Sequence, residues 1–588
     1  MRFVRVNMTD QSVDVADVPA KYLPLGGRSL TSSFVNDEVP ATAHPLGKNN
    51  KLIISPGLLS GTRAASSGRL SFGSLSPLTK GIKESNAGGT ASQKLARLGI
   101  KALVLEGLPG EDNDKWYVVK VTKDDVIVEE ADGDLISAGN YEVGEKLRAK
   151  YGDKVCVMSI GPAGEYRLLA ASIAVTDTDG RPVRHAGRGG LGAVMGSKRV
   201  KAIVVDDAGA GEVPVVDAEA FKEASKKFSK AVLQHPVSGE GLRNFGTAVL
   251  INILNEAGGL PTKNFKLGRF AGANKISGET IADVIKARNG KTSHSCHPGC
   301  IMGCSNVYHD DKGEYLTAGF EYETIWAFGA NCEIDNIDAI AKLDRLCDDF
   351  GLDTIETGVT VAVAMEAGVI PFGDYEAAIK LVEEIGQGTP LGRIIGCGSE
   401  ITGQVYGVRR VPTVKRQGIP AYDPRSVKGI GVTYATSTMG ADHTAGYSVT
   451  ANILKVGGDI DPLKPENQAA LSQNLQIATA AVDSTGLCLF IAFAVLDIPE
   501  TLEAVIEMLN AQYGLSMTGE DVIALGKATL TVEREFNKRA GFTSVHDRLP
   551  EFFQYEVVPP HNAIFDVPEA DLDAVFAFAD KASGEDAS

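Results

Sequence analysis

Cys296, Cys300 and Cys304, in the stretch SHSCHPGCIMGCSN, gather three soft sulfur ligands at intervals of four residues. That grouping points to a metal centre. A helix could carry all three on one face, but Pro298 and Gly299 interrupt it, so a loop that wraps its thiolates around a cube of iron and sulfide is expected. Such a cluster needs a fourth ligand from elsewhere, and Cys156, Cys332, Cys347, Cys397 and Cys488 are the candidates. Two other readings fit the same residues: a zinc site completed by His294, His297 or His309, and three buried thiols that only pack.

Two further patterns carry chemistry. CDDFGLDTIETG and AVDSTGLCLFIA share D-x-x-G-L, as Asp348-x-x-Gly351-Leu352-Asp353 and Asp483-x-x-Gly486-Leu487-Cys488. Each joins a helical segment to an apolar one, so each can offer a carboxylate and backbone N–H groups at a turn. A chance Asp and Gly turn is the bland alternative, and the lone Cys488 in the second copy weighs against it. In RHAGRGGLGAVMGSK, Gly187, Gly189, Gly190 and Gly192 imitate a dinucleotide fingerprint. The genuine motif follows a strand. Here DTDGRPVRH precedes it, with Pro182 and charged residues where an apolar strand belongs, so the glycines are expected instead to let backbone come close to a ligand, with a purely structural Gly-rich turn as the alternative.

The elements that must position these residues change along the chain. FVRVNM, KLIIS, ALVLEG, WYVVKV, VIVEE, VCVMSI and AIVVDD read as strands separated by Gly, Pro and Asp turns. After Asp217, an expected N-cap, AEAFKEASKKFSKAVLQ, DAIAKLDRLCDDF, YEAAIKLVEEIG and TLEAVIEMLNAQYG have helical periodicity. An α+β fold is expected, with a β-rich N-terminal domain over 1–210 and two mainly helical domains over 211–412 and 413–588. The breaks fall at Ala208–Pro214 and Val411–Pro424, and KASGEDAS reads as a frayed tail.

The 588 residues exceed one core, and the net charge of −17 argues against a nucleic-acid partner. Eight clustered cysteines do not make a secreted disulfide framework. MRFVRVNMTD lacks the apolar core of a signal peptide, and Leu487–Leu496 is too short to span a bilayer. A cytoplasmic enzyme without a membrane span is expected.

Taken together, SPLTKGIKESNAGGTASQKLARLGIKALVLEG, RHAGRGGLGAVMGSKRVKAIVV, the cysteine loop, GFEYETIWAFG, both D-x-x-G-L motifs and TSTMGADHTAGYS resemble the aldehyde:ferredoxin oxidoreductase family over nearly the whole chain. Most members have C-x-x-C-x-x-x-C, and this chain has one more residue in the first interval. The resemblance implies a tungsten or molybdenum bis-pyranopterin lying between the domains beside a 4Fe-4S cluster, with a magnesium ion bridging the pterin phosphates as a further expectation. It assigns the cluster to Cys296, Cys300, Cys304 and Cys488. Asp348 and Asp483 would each accept hydrogen bonds from one pterin, with Asp353 beside them. Arg69, Asn86, Ala186, Gly187, Arg188 and Gly189 would contact the cofactor from the β-rich domain. The intersubunit iron of some members is not expected, because Lys342 stands where its Glu would be.

By the same resemblance, Glu323 in EYETIW is the general base and His443 in GADHTAG the group that hydrogen-bonds an oxo or substrate oxygen, with Glu321 a rival carboxylate. The implied reaction is RCHO plus water giving RCOOH, two protons and two electrons. The electrons would pass to a ferredoxin or a small iron–sulfur subunit, in a homo- or hetero-oligomer. An acidic carrier meeting this acidic chain must be guided by local basic residues. Rival readings are reduction of an aromatic acyl thioester at the same cofactor and a zinc-stabilised scaffold without redox activity. A radical enzyme using S-adenosylmethionine has the wrong cysteine spacing.

Overall fold

Apolar runs with few polar interruptions need burial on both faces, and the N-terminal part of the chain supplies enough for two sheets. β1 (Arg2–Asn7), β2 (Ser12–Asp17), β3 (Leu52–Pro56), β4 (Leu70–Leu75), β5 (Ile82–Ala87) and β6 (Ile100–Glu106) form the first, in the order β2-β1-β6-β3-β4-β5. β7 (Tyr117–Val121), β8 (Val126–Glu130), β9 (Cys156–Ser159), β10 (Ile173–Val175), β11 (Arg184–Ala186) and β12 (Val200–Val205) form the second, in the order β11-β10-β9-β12-β7-β8. This is a computed structural model, and it describes residues 1–582. Residues 583–588, most of the expected frayed tail, lie outside the described residues.

Strand alternation builds the layers. Val4, Val6, Leu52, Ile54, Leu103 and Leu105 meet Val119, Val121, Ile203 and Val205 in a core shared by the two sheets. The alternate residues Phe3, Ile53, Ala102 and Val104 face outward onto Leu30, Phe34 and Val35 of helix α1 (Gly27–Glu38). Every run read as a strand forms one. β4 and β5 escape the pattern because Ser71, Lys83, Glu84 and Ser85 are buried polar residues.

The Gly-rich segment corrects one expectation: a strand does precede it. β11 leads through Gly187–Gly190 into helix α2 (Leu191–Ser197) and on to β12. The three pairings that connect β11 to β12 through β10 and β9 are all antiparallel, so β11 and β12 run in opposite directions. A dinucleotide site needs a parallel βαβ unit, and the topology removes that reading.

Helix α3 (Ala218–Gln234) begins where Asp217 accepts the Ala220 N–H at 3.0 Å. It is followed by a three-stranded sheet of β13 (Lys291–His294), β14 (Ser305–His309) and β15 (Tyr315–Ala318), which frames the cysteine loop. The helices that carry site residues are α4 (Tyr322–Phe328), α5 (Ile337–Phe350), α6 (Thr354–Glu366), α7 (Gln468–Thr485) and α8 (Gly519–Arg539). One core joins Trp326 and Val359 to Val432, Tyr434 and Phe565, so it crosses the second expected boundary; Ile419, Ala421 and Tyr422 of that stretch are buried. Among the described residues no helix is long and apolar enough to cross a membrane.

Candidate active site and cluster pocket

A cavity of about 410 Å³ opens between the β-rich and helical parts, and residues from distant stretches of the chain line it. Arg69, Asn86, Gly187, Arg188, Cys296, Cys304, Glu323, Asp348, Asp353, His443, Asp483 and Cys488 all contribute to its wall. Ala186, Gly189 and Cys300 lie just behind it in the same turns.

The cysteine segment is a loop, with Gly299 and Gly303 in left-handed conformations. The segment around Ser66 ties it to the fourth cysteine. The Ser66 carbonyl accepts the Cys488 N–H at 2.9 Å, and the Ser66 N–H donates to the Gly299 carbonyl, also at 2.9 Å. From the other side Gly89 N–H donates to the Cys296 carbonyl at 3.0 Å. The other candidates for a fourth ligand are elsewhere: Cys156 sits in the core between the sheets, and Cys332 and Cys347 in the helical core, with Cys397 packed against it. Burial pushes the Cys488 thiol up to about 11, and burial also raises that of Cys304. A hydrogen bond from Cys296 brings Cys300 down to about 7, and the same bond together with burial raises Cys296. Three of these crowded thiols resist becoming thiolates with only protein around them while Cys300 yields its proton more readily, an arrangement suited to sulfurs whose partner is a cationic metal group. The cysteine pocket fits such a group. His297 is buried beside Cys296 and Cys300, with its Nε2 unpartnered and all three donor atoms within 4.8 Å of one another.

The two D-x-x-G-L motifs close helices α5 and α7. Gly351 and Gly486 adopt left-handed φ of 73° and 82°, the conformation that ends a helix and favours glycine. Leu352 and Leu487 are then buried, and the next residues diverge: Asp353 caps α6 by accepting the Ile355 N–H at 3.0 Å, while Cys488 turns to the cysteine loop. Asp348, in the last turn of α5, has Oδ1 at 3.1 Å from His185 Nε2. Asp483, in the last turn of α7, has Oδ2 at 3.3 Å from Arg28 Nη1.

Several expected contacts prove to be linked pairs. Asn86 Oδ1 accepts from Arg69 Nε, and the Asn86 carbonyl accepts from Arg69 Nη2 at 3.1 Å, so Asn86 aims the guanidinium. Arg188 donates to Asp353 at 3.2 Å and to the carbonyls of Ala441 and Gly418, each at 2.6 Å. Arg188 therefore fastens the glycine turn to the helical part. With Arg28, Lys83 and Arg184, these arginines put five buried or half-buried cations in the wall, a set suited to an anionic group such as a phosphate.

Glu323 sits in the first turn of α4 and accepts the Ala421 N–H at 3.1 Å through Oε2. Its Oε1 lies 3.4 Å from His443 Nε2. Neither Glu323 Oε1 nor His443 Nδ1 has a hydrogen-bond partner among the described residues. Burial raises Glu323 to about 8 and lowers His443 to about 4. The pair at neutral pH is thus a carboxylic acid beside a neutral imidazole. Asp442, next in chain to His443, is held low by Lys83 and Arg188 despite the opposing cost of its burial. Tyr422 and Tyr447 ring the pair, their centroids 6.0 and 6.2 Å from the imidazole and their hydroxyls 2.8 Å apart. Glu321 also lines the cavity but is engaged elsewhere, accepting from Thr247 Oγ1 at 2.8 Å and lying 3.6 Å from Arg184.

Sequence reasoning missed Arg28, Lys83, Glu84, Arg184, His185 and Asp442 in this wall. Arg184 and His185 immediately precede the Gly-rich turn and Asp442 immediately precedes His443, so adjacency was the available signal. Arg28 offered none.

A cavity with Cys296, Cys304 and Cys488 in its wall, Cys300 in the same loop, and an acid–imidazole pair within it defines an oxidoreductase built around a metal cluster. The signature of the aldehyde ferredoxin oxidoreductase N-terminal domain matches residues 3–207, and that of domains 2 and 3 matches residues 223–576. The chain is 35% identical over 582 residues to the tungsten-containing aldehyde ferredoxin oxidoreductases of Pyrococcus furiosus and Thermococcus kodakarensis, covering 95% of this chain and 92% of each relative. It is 25% identical over 564 residues to the WOR-like subunit of an aliphatic sulfonate oxidoreductase of Pyrococcus furiosus, covering 88% and 82% of the two chains. The active-site complex BamBC of benzoyl coenzyme A reductase shares the fold, with a TM-score of 0.80 at 19% identity, over 98% of this chain and 94% of that one. The chain belongs to the aldehyde ferredoxin oxidoreductase family.

Proposed function

We propose that the protein oxidises aldehydes to carboxylic acids at a tungsten or molybdenum bis-pyranopterin and passes the electrons through a 4Fe-4S cluster to a ferredoxin or ferredoxin-like subunit. The observation that carries this reading is the convergence of Cys488 with the Cys296–Cys304 loop at the wall of the cavity that also holds Glu323 and His443. When bound, the pterin-held metal takes the electron pair of the aldehyde and the cluster passes electrons on singly. Cys296, Cys300, Cys304 and Cys488 would hold the cluster. Asp348, Asp353 and Asp483 stand at the turns where pterin N–H groups would be received, and Arg69, held by Asn86, faces the same space. Ala186, Gly187 and Gly189, with Arg188, form the turn that lets backbone come close.

Glu323 and His443 act together. With the shared proton on Glu323 and directed at Nε2, the Nδ1–H of His443 is free to donate to the substrate oxygen. As negative charge builds on that oxygen, the proton moves from Glu323 to Nε2 and strengthens that donation. The carboxylate so formed takes the proton released by water or by the aldehyde hydrate. Glu323 is thus the base and His443 the donor. The walls beside them, with Leu250, Tyr322, Tyr422, Tyr447 and Phe493, suit an uncharged substrate.

Anaerobically purified protein tests the reading by elemental analysis, aldehyde-dependent viologen reduction, and the same assay run with an aroyl-CoA and a low-potential donor. About four iron per chain, tungsten or molybdenum, and aldehyde turnover are expected. Zinc in their place, or turnover of the thioester alone, would refute it. Glu323→Gln is expected to keep both metals and lose turnover.

A further inference from the structure

The cysteine loop has an outer face. Cys300 is the partly exposed thiol of the four; the other three are buried. A second pocket opens over it, lined by residues that include Leu233, Arg243, His294, Cys300 and Ile301, and no lining residue is acidic. Leu233, at the end of α3, leaves 46% of its surface exposed beside this thiol.

Cations flank this pocket, in whose lining Leu233 and Ile301 are the aliphatic side chains. Arg243 is exposed and its one hydrogen bond goes to the Ile301 carbonyl at 3.4 Å. Lys230 lies about one helical turn before Leu233, and Lys291 begins β13, the strand that carries His294 to the pocket; both are exposed. Earlier lysines of α3 are neutralised, Lys222 by Glu219, Lys226 by Glu223, and Lys227 by Glu503 and Glu507. Lys230, Arg243 and Lys291 have no carboxylate within 4.0 Å among the described residues. The nearby Asp179 is already engaged, at 3.2 Å from both Arg181 and His294. In a chain of net charge −17, unpaired cations flanking the partly exposed thiol are where an acidic partner would be steered while the rest of the surface repels it.

We infer that this face docks an acidic iron–sulfur carrier protein, with Leu233 and Ile301 at the centre of the contact and Lys230, Arg243 and Lys291 at its rim. The inference rests on the cluster reading above. Each encounter moves one electron: the reduced cluster behind Cys300 is oxidised, the carrier's cluster is reduced, and no bond or proton changes hands.

The test uses metal-loaded protein, a bacterial 4Fe-4S ferredoxin and the variant Lys230→Glu/Arg243→Glu. Affinity is measured across a salt series. Stopped-flow mixing of dithionite-reduced protein with oxidised ferredoxin then gives the transfer rate without any aldehyde step. The Kd is expected to rise, and the second-order rate to fall, at least about tenfold, with most of the salt dependence lost. The rate to benzyl viologen should stay within about twofold, as should ferredoxin transfer in Lys115→Glu, a charge change at the exposed residue two positions before β7. Unchanged ferredoxin binding would overturn the inference. So would an equal loss with viologen, which means a damaged cluster, or a change from dimer to monomer, which means the face pairs two copies of this chain. Aldehyde turnover is a separate assay, so its failure would count against the proposed function and not against the docking face.

Discussion

Glu323 and His443 each lose free energy by carrying charge where burial strips their hydration, and burial drives their affinities for protons in opposite directions. The raised carboxyl and the lowered imidazole share one proton over a wide span of pH, and the proposed chemistry needs that one proton. Above about 8 the pair loses it; below about 4 a second proton arrives on the imidazole. A bell-shaped profile of kcat/KM is therefore expected, with its limbs near those values, read as properties of the pair. A rate that climbs steadily through pH 8 would mean that an isolated carboxylate does the work. Cys488 allows a second measurement at this scale. Cys488→Ala should lose the reduced-cluster EPR signal and viologen reduction while the pterin metal remains bound, whereas Cys397→Ala, at a thiol packed against the helical core, should keep both.

The turns that end α5 and α7 bring carboxylates and a thiolate to one cavity, and their placement depends on close backbone approach. A Cβ on Gly57 would fall 2.0 Å from the Gly486 nitrogen, inside any allowed contact. The segment after β3 therefore presses directly on the second D-x-x-G-L turn, where Leu58 and Leu59 N–H groups donate to the Ser484 and Thr485 carbonyls at 3.1 and 2.8 Å. Gly57→Ala should displace that turn, costing about 1–3 kcal/mol in unfolding free energy and lowering cluster occupancy, as iron content and thermal denaturation would report. An alanine variant with full iron and an unchanged Tm would show that the two segments are not held together. The two turns were legible in the sequence because each is local: an Asp, a helix-ending glycine and a leucine to bury. The amphipathic helices and the two-sided apolar strands were legible for the same reason. β4 and β5 were not: KESNA puts Lys83, Glu84, Ser85 and Asn86 in the cavity wall, where function overrides the strand pattern, and SFGSL buries Ser71 and Ser74 in the sheet. The short β11 hid behind Pro182, and the antiparallel path that rules out a nucleotide site is a property of the sheet, not of its residues.

At the scale of the whole molecule, the site is a seam between the N-terminal sheets and the helices that follow, and charges close it. Arg28 of α1 grips Glu533 of α8 with two bonds of 2.9 Å and reaches Asp483 of α7. Glu533 also accepts from Ser32 and Thr438, at 2.8 and 2.6 Å, so it collects donors from both sides of the seam. Nothing local in GGRSLTSS foretells this, since the partners are 455 and 505 residues away. Burial works against the Arg28 charge, yet Glu533 and Asp483 hold it firmly protonated. Removing the arginine strands Glu533, which is wholly buried. Arg28→Ala should therefore cost about 3–5 kcal/mol, as expected when one partner of a buried pair is lost. Cys296, Cys300, Cys304 and Cys488 all belong to the part after the N-terminal sheets, but their segments are bonded to the N-terminal Ser66, so a metal group held by them would brace Ser66's side of the seam and stabilise the closed arrangement by its binding free energy. The two effects should be coupled. Arg28→Ala is expected to lower Tm in the loaded protein, iron chelation is expected to lower it in the wild type, and the variant should release iron at a lower chelator concentration because its seam opens more readily. Strictly additive losses, with iron release unchanged in the variant, would mean that the arginine staple and the cluster guard separate parts of the fold.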